Sequence, residues 1–204
     1  MHDTAYAIGR SFFACYVQPE AAILEIGSMN VNGGLRDFCP AGSSYTGVDF
    51  TPGPGVDLVV EQVAKLPFDP GAFDAVVSSS AFEHDAMFWV TFLEICRVVK
   101  EGGYIYINAP SKGDYHCHPI DAWRFFPDSG VALCTWARLN GYHMTLLESF
   151  ITQNDAEVWN DCVMIFGKRA YPPVTLVTDR HPNIMNVRIW PDIETVDRRV
   201  GRWP

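Results

Sequence analysis

The stretch Ala21-Ala22-Ile23-Leu24-Glu25-Ile26-Gly27-Ser28-Met29-Asn30-Val31-Asn32-Gly33-Gly34 decides the fold. Its first six residues are apolar but for one acid, too few for a helix and apolar toward both faces, as a strand inside a parallel sheet must be. Gly27 ends the run in a tight turn that lets a ligand approach the backbone, and Gly33 is expected to admit tight packing of a helix. Working outward, Tyr45-Thr46-Gly47-Val48-Asp49 reads as a second strand ending in an acid. Asp57-Leu58-Val59-Val60 reads as a third, after the turn Thr51-Pro52-Gly53-Pro54-Gly55, and Phe73-Asp74-Ala75-Val76-Val77-Ser78 as a fourth. Between Asp85 and Lys100 the apolar residues Phe88, Phe92, Ile95 and Val99 recur at helical steps, with Trp89 and Cys96 beside them and Gly102-Gly103 as the expected C-cap. Phe88, Trp89 and Phe92 read as core. Tyr104–Asn108 is a fifth strand, Asp128–Asn140 a helix capped near Asp128, and Tyr142–Phe150 with Cys162–Lys168 a final strand pair. Ala5, Phe12, Phe13 and Tyr16 give the first seventeen residues a loosely helical spacing. This alternation predicts an α/β domain of three layers with a largely parallel sheet.

Composition narrows the function classes. The 204 residues are 48% hydrophobic, 13% aromatic and 19% charged, enough to fill a core without disulfides or metal. A formal charge of -9 opposes broad attraction to nucleic acid or to an anionic membrane surface. No apolar run approaches the roughly 18 residues a membrane helix needs, and no signal peptide is read at the N-terminus. Cys15, Cys39, Cys96, Cys117, Cys134 and Cys162 form no CxxC pair, so free, mostly buried thiols and a cytoplasmic location are expected. The proline-rich segment 171–204 lacks periodicity and carries five basic against four acidic residues. It reads as an extension that packs on the domain of residues 1–170 or on a partner subunit, which leaves homo-oligomerisation open.

Ligands of open α/β sheets sit beyond the carboxyl ends of the strands. Asp49 falls 22 residues beyond Gly27, where a carboxylate can accept hydrogen bonds from both ribose hydroxyls. The dinucleotide fingerprint needs glycine where Met29 stands, and no basic residue is near to meet a phosphate. S-adenosylmethionine, a nucleoside with an amino-acid tail in place of phosphates, suits the loop better.

Several ordered motifs agree with that cofactor. Leu24-Glu25-Ile26-Gly27-Ser28, Gly47-Val48-Asp49, Leu66-Pro67-Phe68, Phe73 to Ser79, and Phe82-Glu83-His84 followed by Glu94 to Tyr104 resemble the motifs of class I S-adenosylmethionine-dependent methyltransferases, in the branch of type 11 methyltransferase domains. The resemblance covers residues 21 to 110 and implies a Rossmann-like sandwich with a mostly parallel seven-stranded sheet and an antiparallel last strand. It also implies that Glu25 and the Gly27 loop, with Ser28 and Asn30, surround the methionine end. Asp49 and Phe50 would meet ribose and adenine, Gln62 and Val63 would border the adenine, and Ser79 and Ser80 would lie near the sulfonium. The family commonly has Asp where Gln62 stands, and an amide oxygen can accept the same hydrogen bond. Ser78 to Ser80 also fit an ordinary strand-end turn.

Methyl transfer to a hydroxyl or ammonium needs a group to take the acceptor's proton, and histidine does this near neutral pH. His118 is the expected base, oriented by Asp121, with His84 as the second candidate. Tyr115, His116, Trp123 and Arg124 lie in the same polar, aromatic stretch from Pro110 to Phe126 and are candidates for binding the acceptor. That stretch resembles, more loosely, a His-x-x-Asp-x-Trp-Arg-Phe segment of methyltransferases from glycan and secondary-metabolite gene clusters. The main reading assigns no metal; a competing one would place an ion between His116 and His118, completed by His84 or Asp114. The enzyme reading is methyl transfer to oxygen or nitrogen of a small polar acceptor of sugar or secondary-metabolite type. The alternatives are a cofactor-binding regulatory or scaffold protein and an NAD-dependent dehydrogenase.

Overall fold

The computed structural model describes residues 2–61, 65–153 and 158–193. Eight strands form one sheet in the order β3-β2-β1-β4-β5-β7-β6-β8. They are β1 (Ala22–Ile26), β2 (Ser44–Asp49), β3 (Leu58–Val59), β4 (Phe73–Ser79), β5 (Val99–Lys112), β6 (Met144–Thr152), β7 (Asn160–Lys168) and β8 (Ile184–Ile189). Pairings from β3 across to β5 are parallel, and those of β7 with β5 and β6 and of β8 with β6 are antiparallel. The seven expected strands are therefore joined by an eighth, from the segment where the sequence shows no periodicity. β1 and β4 are buried almost throughout, which is why their residues are apolar toward both faces.

One face of the sheet is covered by α1 (Asp3–Tyr16). Its Ile8, Phe12 and Tyr16 pack with Ile23, Val77 and Tyr106 of the strands and with Val177, Ile184 and Val187 of the extension. The other face carries α2 (Phe88–Val98) and α3 (Pro127–Leu139). There Phe92, Ile95, Leu133 and Ala137 pack on Leu24, Val76, Ile105 and Met164, with Phe88 and Trp89 at the margin. Of the aromatic residues of α2 expected in the core, Phe92 is fully buried, whereas Phe88 and Trp89 are only partly buried against it.

Two helix ends differ from expectation. α2 stops at Val98, and Gly102-Gly103 lie inside β5, where the β4–β5 register shifts. The end of α2 is satisfied from a distance: the buried Lys168 ammonium donates to the carbonyls of Cys96 and Val99 at 2.8 and 2.9 Å, placing a cation on orphaned carbonyls. At the start of α3 the Ser129 hydroxyl accepts the Phe126 N–H. Asp128 instead pairs with Arg188 of β8, Nε to Oδ1 at 2.7 Å. All six cysteines are free; Cys96, Cys134 and Cys162 are buried, whereas Cys117 is exposed. Among the described residues no helix is long and apolar enough to cross a membrane.

Candidate active site

From β1 the chain builds outward through β2 and β3, then returns to lay β4 on the other side of β1. That reversal opens a crevice beyond the carboxyl ends of the strands. A cleft of about 690 Å³ lies there, walled by Glu25 to Met29, Val31, Gly33, Gly34, Asp49 to Thr51, Ser79 to Phe82, His84, Asp85, Thr91 and Cys117 to Pro119. Gly27 holds the turn at φ +76°, and a Cβ there would lie 2.4 Å from that of Ala81, so only glycine fits. The N–H groups of Gly27 and Ser28 both donate to Val48 O at 2.9 and 3.1 Å, pinning the loop to β2.

Asp49 fastens the same loop from below. Its Oδ2 accepts the Met29 N–H at 3.1 Å and its Oδ1 the Phe50 N–H at 2.7 Å, leaving lone pairs on both oxygens for further donors. Glu25, 5% exposed, accepts a hydrogen bond from the Tyr45 hydroxyl at 2.9 Å. Burial pushes its carboxyl up to about 7, against the pull of Tyr45 and Arg36. Ser28 and Ser79 are buried in the cleft wall, and neither hydroxyl oxygen has a hydrogen-bond partner. Ser80 adopts φ +53°, a left-handed conformation rare for a residue with a side chain.

Of the residues expected around a cofactor, Glu25, Gly27, Ser28, Asp49, Phe50, Ser79 and Ser80 line this cleft. Asn30 does not: its Oδ1 accepts the Gly33 N–H at 2.9 Å and serves the loop's own turn. Gln62 and Val63 lie outside the described residues.

The acceptor-side residues divide differently. His118 and His84 line the cleft, whereas Tyr115, His116, Trp123 and Arg124 do not. The expected partnership of His118 with Asp121 is absent. Arg124 holds Asp121 by two charge-assisted hydrogen bonds, Nη1–Oδ1 at 2.5 Å and Nη2–Oδ2 at 2.7 Å, and the His116 N–H takes Oδ2 at 2.9 Å. A forked guanidinium outcompetes a single imidazole for a carboxylate, and the same hydrogen bonds hold Asp121 well below the usual carboxylate range. Arg124 also donates to Asp114 O at 3.0 Å and Trp123 O at 2.9 Å, so it is a brace for the loop. The Trp123 indole N–H donates to Asp85 O at 2.8 Å, and its ring packs edge-on against Phe88 and Trp89. Tyr115 is 77% exposed and accepts a hydrogen bond from the Cys117 thiol.

Cys117, Asp85 and Thr91 line the cleft although no sequence motif marks them as site residues. Glu83 is marked in the sequence only as part of a family motif. It is 1% exposed, its Oε2 has no partner, and burial pushes it up to about 8. His84, on the same turn, keeps its Nδ1 against Ile120 O and is lowered chiefly by burial.

Residues 24–107 match the family profile described as a methyltransferase domain. No curated protein sequence matches the chain significantly. Among solved structures, the chain is similar to the 1,6-didemethyltoxoflavin-N1-methyltransferase of Burkholderia thailandensis, solved with 1,6-didemethyltoxoflavin and S-adenosylhomocysteine. The TM-score is 0.61 at 17% identity, over 81% of this chain and 77% of that one. The YcgJ protein of Bacillus subtilis aligns with TM-score 0.59 at 14% identity, over 83% and 99% of the two chains. The [4+2]-cyclase SpnF aligns with TM-score 0.58 at 15% identity, over 80% and 81%. At these identities the likeness is one of fold, and the fold serves a cyclase as well as methyltransferases. Sequence motifs, sheet order, cleft position and family profile point the same way: residues 24–107 match a methyltransferase domain, set in a fold shared with methyltransferase structures.

Proposed function

We propose that the chain transfers the methyl group of S-adenosylmethionine to an oxygen or nitrogen atom of a small polar acceptor, of sugar or secondary-metabolite type, with a cleft histidine taking the acceptor's proton. The observation that carries this reading is one cleft in which the Gly27 loop, Asp49 and two partnerless buried hydroxyls share a wall with His84 and His118. The wall fits the cofactor. Ser28 and Ser79 lack the partners that a polar ligand would bring, and among the described residues the cleft wall contains no Lys or Arg to meet the phosphates of a dinucleotide.

In this reading Glu25 receives the ammonium of the methionine end, Asp49 accepts from the ribose hydroxyls and Phe50 covers the adenine. Ser79 and Ser80 border the sulfonium end. The cofactor supplies an electrophilic methyl carbon. The chain has to align a nucleophile with it and remove a proton. His118, exposed and on the cleft wall, is placed to take that proton; His84 is the second candidate, its Nδ1 committed to Ile120 O and its Nε2 left as the acceptor. Asp121 and Arg124 act through the loop they brace, without touching the acceptor. A net charge of -9 and a wall that includes Glu25, Asp49 and Asp85 favour a small acceptor over an anionic polymer. Residues 1–170 make up the catalytic unit in this reading, with the described part of the extension, residues 171–193, packed against it.

Calorimetric titration with S-adenosylmethionine, S-adenosylhomocysteine and NAD tests the cofactor, and transfer of a labelled methyl group to a panel of hydroxylated and amine acceptors tests the reaction. Binding of the first two ligands only, with turnover that falls in His118→Gln, is the expected result. Binding without turnover of any acceptor supports the scaffold alternative, and NAD binding overturns the cofactor assignment. Unimpaired turnover in His118→Gln removes that residue from the base role.

A further inference from the structure

Where His84 forms part of the cleft wall, the turn after β4 and the loop after β5 bring it together with Glu83 and His116. One ligating atom from each lies within 4.8 Å of the others, and Glu83 Oε1 is 3.6 Å from His84 Nε2. Two histidines and one carboxylate are a recurrent ligand set for a divalent transition ion that keeps open positions. Neither the Asp114 nor the His118 of the sequence-based metal reading belongs to this set. His118 stands off, its ring centroid 6.1 Å from that of His84.

Three further observations point to an ion. Glu83 is 1% exposed and its Oε2 has no hydrogen-bond partner, although a buried carboxylate oxygen left unpaired is costly. Arg124, the cation that acts on it electrostatically, gives it no hydrogen bond, its four Nη donors going to Asp121, Trp123 O and Asp114 O. Both imidazoles also have their Nδ1 turned to acceptors: His84 to Ile120 O, and His116 to Asp114 O and Asp121 Oδ2, each at 3.3 Å. An Nδ1–H donated to a carbonyl or carboxylate leaves the Nε2 lone pair for a metal, the second-layer arrangement that orients ligating histidines. The loop itself is anchored on the cluster, since the Ala122 N–H donates to Glu83 O at 2.8 Å.

We propose that Glu83, His84 and His116 bind one divalent first-row transition ion, with Asp121 and Ile120 O as the groups that orient its histidines. Ligand atoms around such an ion stand about 3.0 to 3.5 Å apart, so the triad closes on it by side-chain movements of about an ångström. His84 belongs to the cleft wall, so the open positions face the cleft, where an anionic or carbonyl oxygen of the acceptor is the class of ligand that fills them. That last assignment rests on the methyl-transfer reading, in which an ion on His84 Nε2 leaves His118 as the base; the ion site does not.

Full-length protein purified without a histidine tag and stripped with chelator is titrated with Co(II), Zn(II) and Mg(II), following Co(II) visible absorption and calorimetric stoichiometry. The expected result is one Co(II) or Zn(II) per chain, little response to Mg(II), and affinity about 100-fold lower in His116→Gln and in Glu83→Gln. His116 lies in a half-buried loop position, so its variant keeps the test open if Glu83→Gln does not fold. His143→Gln, a surface histidine outside the cluster, should bind as the parent does. Binding of S-adenosylhomocysteine to the stripped protein is measured in parallel, so failure of the cofactor reading is separable from failure of this one. Absence of saturable Co(II) binding, or affinity unchanged in both triad variants, overturns the proposal.

Discussion

Replacing Glu25 by Gln should flatten the dependence of stability on pH. The carboxyl is 5% exposed within β1 and accepts a hydrogen bond from the Tyr45 hydroxyl. Arg36 and Asp49 act on it electrostatically with opposite signs. Burial outweighs these and raises its ionisation from 4.5 to about 7. A carboxyl raised in the folded state stabilises fully below its unfolded value, and that contribution is lost as pH climbs through the folded one. Linkage then makes ionisable Glu25 cost the fold about 1.4 kcal/mol at pH 5.5 and about 3 kcal/mol at pH 8. Gln carries no charge at either pH. Whatever constant the swap introduces, the stability of Glu25→Gln relative to the parent should rise by about 2 kcal/mol between pH 5.5 and 8. Urea unfolding of both proteins at the two pH values, in one salt, measures this. Saturating S-adenosylhomocysteine should shrink the parent's loss at pH 8, because its ammonium favours the ionised carboxylate, while leaving the shape of the variant's profile unchanged. A relative stability constant to within about 0.5 kcal/mol across the range would refute the reasoning.

Asp49→Asn keeps the side-chain shape but has one acceptor oxygen where the carboxylate has two, each now taking a backbone N–H. Losing a charge-assisted hydrogen bond of about 1.5 to 3 kcal/mol should weaken S-adenosylhomocysteine binding about 10- to 150-fold in calorimetry. Glu148 is fully buried and accepts from the Tyr16 hydroxyl at 2.6 Å and from the N–H groups of Val177 and Thr178 at 3.0 and 2.8 Å. Glu148→Ala strands these donors and should cost about 3 kcal/mol or more in urea unfolding, with faster proteolysis near residue 175 as the extension lifts off α1.

Much of the cofactor side was legible because its signals are local. An apolar run, a glycine and a strand-end acid locate β1, the tight turn and Asp49, and helical spacing locates α2. What escaped depends on partners far along the chain. Lys168 closes α2 from 72 residues beyond Cys96. β8 hides because Asn186 sits at φ +53° and the β6–β8 register slips between Ser149 and Ile151, which breaks the two-residue alternation by which a strand is recognised. The pairing of His118 with Asp121 failed because proximity in sequence says nothing of competition, and Arg124 offers the carboxylate a better match. Glu83 and His116 stand 33 residues apart, and only the adjacency of β4 and β5 makes them neighbours.

The eighth strand also governs where the chain can be cut. β8 covers the outer side of β6, and the opposite border of the sheet is the two-residue β3, preceded by Pro52, Gly53, Pro54 and Gly55. Among the described residues both border strands are short, six residues in β8 and two in β3, which limits the row of amides open to another molecule. A fragment ending at residue 170 would expose the stretch of β6 from Leu147 to Thr152 that β8 and Trp190 pair as an open template and should gather into aggregates during expression, however well its cofactor cleft is built.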